Sequence, residues 1–246
     1  MARPRKPLLS TGRIVATARD LVDAEGLAAV STRRLAAELG VSGPSLYNHF
    51  RTKDEILEAV ADSVSAQVDL SMFEDGRGWR TALHDWALSY RGALRDHPNI
   101  VPVLAKGPGR RPASLRLADV VYGAMVAAGW PPAHATSVGA VMRYFIMGAA
   151  LGSFAGGFVD EESAYDPDAY PHLGQAHLLA ERQETVDERA FEAGLNALLD
   201  GLALRFETVG GGGGRDGDRV PEQVAGRPGR PGTSDRPGTS GRPGRP

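Results

Sequence analysis

The chain has 246 residues, 42% of them hydrophobic and 24% charged, which is ordinary for a globular protein. It contains no cysteine, which excludes disulfides, thiolate zinc sites and a cysteine nucleophile and fits a reducing, cytoplasmic compartment. The net charge of −2 conceals a basic segment, 1–53, with nine basic and four acidic residues, and such a segment on an acidic body suits contact with a polyanion. Chance variation in surface charge is the alternative interpretation.

The first two helices are predicted from their boundaries. Apolar residues recur at helical spacing over 11–25, between Ser10 as N-cap and Gly26 as terminator. Ser31 is a favourable N-cap for the second helix. Gly40 ends it, because glycine accepts the positive φ of a sharp turn. The pattern predicts two helices joined by a tight turn to a third.

The third helix is predicted to begin near Ser42 or Gly43 and has the composition of a DNA recognition helix. Small and polar side chains occupy its exposed positions, and Val41, Leu46 and Phe50 supply an apolar underside. Basic residues flank it at helix starts, where phosphates are favoured. The candidate DNA-binding residues are Thr32, Arg33, Ser42, Gly43, Pro44, Ser45, Tyr47, Asn48, His49 and Lys53.

Three alternatives remain open for this element. Helix pairs joined by a glycine turn also occur outside DNA-binding proteins. Tyr47 could pack its ring and offer only its hydroxyl to a partner. His49 could brace the helix from a partly buried position.

The remainder of the chain is predicted to be helical. A capping box at Thr52–Glu55 starts a fourth helix that continues through Val68, and Phe158–Pro171 reads as a polar, acidic loop. No segment alternates as a strand does, so the predicted class is all-α. Further helices are expected at 79–97, 100–104, 113–128, 131–154 and 186–206. The expected division is 1–53 for an N-terminal arm and helix-turn-helix domain, 54–208 for a helical effector-binding and dimerisation domain, and 209–246 for a disordered Gly/Pro/Arg-rich tail.

Aromatic and methionine side chains in the predicted body are candidates for the lining of a ligand pocket. They suit an apolar or amphipathic small molecule. Side chains of these types at helical spacing also form ordinary core, which is the alternative interpretation for each. The candidates are Trp86, Tyr90, Tyr122, Met125, Met142 and Phe145.

The sequence offers no pattern for catalysis, a metal or a cofactor. The five histidines after residue 80 are scattered without the i, i+4 spacing of a helical metal site. There is no phosphate-binding glycine loop and no nucleophile elbow. The uncharged stretch 144–159 is shorter than the ~20 residues that a membrane span needs. We therefore expect no enzyme activity, no metal, no cofactor and no membrane partner.

The motif of the second and third helices resembles that of the TetR family of bacterial repressors. Farther along, Trp79, Ser89-Tyr90-Arg91 and Phe145-Ile146-Met147-Gly148-Ala149 look like the tetracycline-repressor type of C-terminal domain. The resemblance covers about 10–206. Its head motif is Thr32-Arg33-Arg34-Leu35-Ala36, Leu39-Gly40-Val41, Leu46-Tyr47-Asn48-His49-Phe50 and Lys53.

The resemblance implies a homodimer formed through the last two long helices, at about 131–154 and 186–206. Two heads roughly 34–36 Å apart would then read successive major grooves of a palindromic double-stranded operator. A small-molecule effector would shift the population toward a dimer whose heads are misspaced for DNA. The implied function is ligand-responsive repression, with activation as an open alternative.

Three positions depart from the tetracycline-repressor pattern. Trp86 stands where those proteins have a polar Asn, and Val68 stands where they have a His. Their magnesium-binding region corresponds loosely to Ala105-Lys106-Gly107. Neither tetracycline nor a chelated magnesium ion is therefore expected.

Two other functions remain open from the sequence alone. One is an enzyme housed in the helical body, which would require turnover of a bound compound. The other is an architectural or protein-interaction DNA-binding dimer with no small-molecule effector. The arginines of the tail mildly favour the architectural or protein-interaction function, because they offer weak, sequence-independent DNA affinity.

Overall fold

The computed structural model describes residues 9–159, 161 and 164–210, which belong to one compact unit. Nearly all of the predicted tail, 211–246, and the start of the N-terminal arm lie outside the described residues. The described part is all-α and contains no strand, as predicted. Its helices are α1 Thr11–Glu25, α2 Thr32–Leu39, α3 Gly43–Tyr47, α4 Lys53–Ser65, α5 Trp79–Asp96, α6 Val101–Leu104, α7 Pro112–Ala127, α8 Pro132–Ala150, α9 His177–Glu181 and α10 Gln183–Gly210.

The predicted caps of the first helices are confirmed. The side-chain oxygens of Ser10, Ser31 and Thr52 each accept a hydrogen bond from the backbone N–H three residues further on, which satisfies a donor that a helix start leaves free. Gly40 adopts a left-handed conformation at φ 65° after α2. Local sequence signals therefore determine where the N-terminal helices begin and end.

The predicted boundaries of three helices are wrong. Helix α4 ends at Ser65 and does not reach Val68, because the Ser89 hydroxyl accepts from the Asp69 N–H at 2.9 Å and the chain turns away. Helix α8 ends at Ala150, and the glycine-rich segment that follows forms only a short 3₁₀ turn. Helix α10 begins at Gln183, three residues before its expected start. The short α9 was not predicted at all.

The helices form a head, α1 to α3, and a larger body, α5 to α10, which share α4. In the head, α1 packs on α2 and α4, and in the body α5 and α7 both pack on α8. Helix α4 contacts α1 on one side and α7, α5 and α6 on the other. One continuous hydrophobic core therefore runs from the head into the body.

Helix α8 and the turn after it, Pro132–Gly157, are long and apolar enough to cross a membrane by composition, with a mean hydropathy of 1.4. One face of α8 is buried in the core, including Val138, Met142 and Ile146. A core helix of a globular protein has the same composition, so this helix is explained by packing against α5 and α7.

Candidate nucleic-acid interface and ligand site

The turn between α2 and α3 fixes the position of the short third helix. After Gly40, the Val41 N–H donates to the Ala36 carbonyl at 3.0 Å, a hydrogen bond that closes the end of α2. Leu46 and Phe50 are buried beneath α3. The apolar underside predicted from the sequence therefore holds α3 against the head and leaves its other side free.

Most of the predicted DNA-binding residues lie at exposed positions around α3. Tyr47 is 54% exposed, and the Ser42 and Ser45 hydroxyls are hydrogen-bonded to each other at 2.8 Å. Thr32, Gly43 and Ser45 are half-buried, whereas Arg33, Ser42, Pro44, Asn48 and His49 are exposed.

Two predicted residues also make contacts inside the head. The Lys53 ammonium donates to the Leu27 carbonyl at 2.8 Å and is half-buried. His49 Nδ1 lies 3.3 Å from the Thr11 hydroxyl, so this ring links α3 to the start of α1. Both contacts anchor the recognition element, and a role for either side chain at phosphate stays a prediction.

Adjacent arginines on α2 differ in their surroundings. Arg34 forms ion pairs with Glu25 at 3.0 Å and with Glu38 at 3.1 Å. Arg33 is exposed, and no residue of the described part forms an ion pair with it. Only Arg33 of the two is therefore available to an external phosphate or base without breaking an existing ion pair.

This difference predicts distinct effects of two matched substitutions. Arg33→Ala should lower the affinity for operator DNA about tenfold, the loss expected for one good contact. Arg34→Ala should lower it less than about threefold, because Arg34 is engaged within the protein. Titrations of both variants at one fixed salt concentration provide the measurement. An equal loss in the two variants would contradict the assignment.

Helix α4 is tied to the body by polar contacts that the sequence did not reveal. The Asp62 carboxylate accepts from the backbone N–H groups of Ala113 and Ser114, at 2.9 and 3.1 Å, and so caps the start of α7. The Ser65 and Ser114 hydroxyls are hydrogen-bonded at 2.8 Å in a buried position. A shift of α7 would therefore pull on the same helix that begins directly after α3.

A second connection joins the end of α5 to α1. His97 Nδ1 lies 2.8 Å from the Asp23 carboxylate. The Asn99 amide donates to the carbonyls of Val22 at 2.9 Å and Asp23 at 3.2 Å, in the last turn of α1. The body thus holds the head at two places, through α4 and through α1.

The Asp62 cap leads to a prediction about stability. Asp62→Ala should lower the free energy of unfolding by about 1–2 kcal/mol, because two N–H groups of α7 lose their acceptor. Asp119→Ala, at an exposed position on α7, should change it by less than about 0.5 kcal/mol. Urea denaturation measures both values. Similar stabilities for the two variants would show that the cap contributes little.

The six predicted ligand-binding residues fall into two groups. Trp86, Tyr90, Met125 and Met142 are almost completely buried, each at 2% exposure or less, and the rings of Trp86 and Tyr90 lie 5.9 Å apart. Tyr122 and Phe145 are half-buried and pack directly on glycine backbone of neighbouring helices. For these last two, packing between helices is a sufficient explanation.

Arg143 contacts this buried group and was not among the residues predicted from the sequence. From α8 its guanidinium donates to the Tyr90 hydroxyl at 3.3 Å and to the Leu104 carbonyl at 2.6 Å. Burial raises the pKa of Tyr90, so this hydroxyl stays protonated. The indole Nε1 of Trp86 is buried without a hydrogen-bond partner. The body therefore contains, besides its buried aromatic rings, the guanidinium cation of Arg143 and an indole N–H group without an acceptor.

An open cavity of about 490 Å³ lies at the ends of α5 and α8 beside α10. Its lining includes Arg91, Arg95 and Glu188, which are joined by ion pairs at 2.7 and 3.3 Å. In the described part of the chain, no group of three or more His, Asp or Glu residues is arranged to hold a metal ion.

In a comparison with known protein families, two segments of the chain each match a family model. Residues 14–60 match the bacterial regulatory proteins of the tetR family. Residues 74–206 match the tetracyclin repressor-like C-terminal domain. The boundary between the two matches falls after α4 begins, which is consistent with a helix that serves both parts.

Relatives and solved structures extend this similarity. An HTH-type transcriptional regulator of Saccharopolyspora erythraea is 34% identical over 58% of this chain and 60% of its own length. The class A tetracycline repressor of Escherichia coli is 32% identical over 80% of this chain and 92% of its own. The Streptomyces coelicolor protein ActR, in complex with (S)-DNPA, superposes with a TM-score of 0.66 at 28% identity, covering 80% of this chain and 98% of that one.

Proposed function

The chain belongs to the TetR family of bacterial regulatory proteins, and from this we propose a cytoplasmic, ligand-responsive repressor. In this proposal a homodimer binds a palindromic operator and is released by a small apolar or amphipathic effector. Members of the family are transcriptional regulators that bind DNA and are not enzymes. Repression, the dimer, the effector and its site are the parts proposed for this chain.

One observation carries the proposal: α4 belongs to both the head and the body. Its first residue, Lys53, contacts the loop after α1, and its last turn is hydrogen-bonded to the start of α7. A ligand that displaces α7 or α5 would therefore rotate the helix on which the head is mounted. Such a rotation changes the separation of two heads in a dimer and hence operator affinity.

The proposed dimer interface consists of exposed apolar faces on α8 and α10. On α8, Val141 and Tyr144 are 38% and 73% exposed, and Leu151, directly after the helix, is 59% exposed. On α10, Leu204 is 66% exposed and continues an exposed row of small residues, Ala193, Ala197 and Gly201. An apolar surface of this kind on two adjacent helices is suited to self-association about a twofold axis.

Effector release is supported by the structural neighbour ActR, whose solved complexes contain (S)-DNPA and actinorhodin. The buried aromatic group around Trp86 and Tyr90 offers a comparable environment inside this body. Because Trp86 and Val68 replace the polar residues of the tetracycline repressors, we do not expect tetracycline as the effector.

The direct test is the binding of purified protein to DNA from the upstream region of its own gene, against a scrambled sequence at fixed salt. The proposal expects tight, palindrome-dependent binding by a dimer. Equal, salt-sensitive binding to both DNAs would rule out local autoregulation and favour the architectural function.

A further inference from the structure

The Trp86 side chain carries an unused hydrogen-bond donor in the interior of the body. Trp86 is 1% exposed, and its indole Nε1 has no partner. A buried N–H without an acceptor is unfavourable, because it has lost its hydrogen bond to water. The centroid of the Trp86 ring lies 5.9 Å from that of Tyr90, and a bound molecule that supplied an acceptor would satisfy the indole N–H.

Arg143 brings a positive charge to the hydroxyl of Tyr90. Its guanidinium contacts the Tyr90 hydroxyl and the Leu104 carbonyl, which are both neutral groups. Among the residues that the structure describes, no carboxylate forms an ion pair with Arg143. A half-buried cation without a counter-ion is unfavourable, and an anion placed beside it would relieve that cost.

The groups around Arg143 cannot provide that anion themselves. Burial raises the pKa of Tyr90, so its hydroxyl remains neutral at physiological pH. Arg111, the other charge that acts on Tyr90, is itself a cation. It is 4% exposed and already paired with Glu58 at 3.3 Å. The groups that contact Tyr90 therefore leave beside it a positive charge that a bound anion would neutralise.

We propose that the effector is an anionic aromatic compound whose acidic group pairs with Arg143 and accepts a hydrogen bond from Trp86 Nε1. Its ring system would pack against the aromatic side chains at 86 and 90. Met125 and Met142, which belong to the same buried cluster, are unbranched and adapt readily to a new neighbour. This inference rests on the proposed function and specifies the chemical class of its effector.

A matched pair of fluorescent probes separates charge from shape. 1-Anilinonaphthalene-8-sulfonate carries a sulfonate, and N-phenyl-1-naphthylamine has the same ring skeleton without it. The full-length protein should bind the sulfonate at least about tenfold more tightly than the neutral probe, the difference expected for a charge-assisted hydrogen bond. Equal affinities, or preference for the neutral probe, would overturn the proposal.

Substitutions locate the binding within the body. Arg143→Met should remove the preference for the sulfonate, Arg143→Lys should retain most of it, and Trp86→Phe should weaken sulfonate binding about threefold. Arg116→Met removes an exposed arginine of α7 and serves as the control for nonspecific attraction. Circular dichroism verifies that each variant is folded. A sulfonate affinity unchanged in folded Arg143→Met, or lost equally in Arg116→Met, would contradict the assignment.

Operator release distinguishes this inference from the proposed function. The sulfonate should dissociate the protein–operator complex at lower concentration than the neutral probe. If the neutral probe releases DNA equally well, the effector class is wrong and the repressor proposal stands. If the Arg143-dependent preference is found but the protein shows no specific operator binding, the proposed function fails and the anion site remains.

Discussion

Replacing Tyr144 and Leu204 together by glutamate should convert the protein into monomers and lower its operator affinity by more than about 100-fold. Both side chains are exposed in the single chain, at 73% and 66%, so the substitution leaves the core of each protomer intact. In a dimer the four new carboxylates would lie within one interface, where like charges repel and lose hydration. Each monomer would retain one head and only half of the DNA contacts.

The control uses apolar residues that are also exposed, although less so, and lie on other helices. Leu88 on α5 and Val126 on α7 are 42% and 45% exposed, and the double glutamate variant at these positions should remain dimeric. Light scattering after size-exclusion chromatography gives the mass, and titration with operator DNA gives the affinity. A Tyr144/Leu204 variant that stays dimeric would place the interface elsewhere.

The sequence predicted those features that depend on neighbouring residues in the chain. The caps at Ser10, Ser31 and Thr52 and the turn at Gly40 are local events, and the structure confirms each. The apolar underside of α3 could also be predicted from the sequence, because Leu46 and Phe50 flank exposed polar residues at helical spacing. Such signals sufficed for the all-α class and the recognition element.

Features that depend on contacts between residues far apart in the chain could not be predicted from the sequence. The cap that Asp62 provides to α7 spans 51 residues, and nothing in either segment predicts it. Arg34 forms ion pairs with Glu25 and Glu38, whereas its neighbour Arg33 remains available for DNA. The helical periodicity of the sequence does not distinguish these two arginines. Arg143 immediately precedes the apolar stretch that begins at residue 144, and its contact with Tyr90 depends on how α5 and α8 cross.

The proposed ligand site illustrates the same limit for side chains of one type. The sequence suggested six aromatic and methionine residues as one group, with core packing as the alternative. The structure buries Trp86, Tyr90, Met125 and Met142 in the interior and places Tyr122 and Phe145 against Gly139 and Gly194. The residue types predicted that these side chains would be buried. Their contacts with glycines depend on how α7, α8 and α10 pack, which the sequence does not reveal.

The contact between Tyr122 and Gly139 predicts the largest effect of a single methyl group on stability. Alanine normally stabilises a helix interior relative to glycine by about 0.5–1 kcal/mol. At position 139, however, a Cβ atom would lie 2.7 Å from Cδ1 of Tyr122 and closer still to Cε1. The ring projects from α7 onto the backbone of α8, so an added methyl group forces the ring or the helices to shift. Gly139→Ala should therefore lower the free energy of unfolding by about 1–3 kcal/mol, the usual cost of overpacking.

Two further variants test that the ring causes this loss. Gly92→Ala, in the interior of α5 where an added Cβ meets nothing within 4 Å, should be neutral or stabilising by up to about 1 kcal/mol. In the double variant Gly139→Ala/Tyr122→Leu the clash is absent, so the two substitutions should be non-additive by at least about 1 kcal/mol in urea denaturation. Additive losses would mean that the ring of Tyr122 is not the cause of the destabilisation. The non-additive result would show that the close approach of α7 to α8, and with it the position of the Met125 and Met142 side chains in the proposed effector site, depends on the absence of one methyl group.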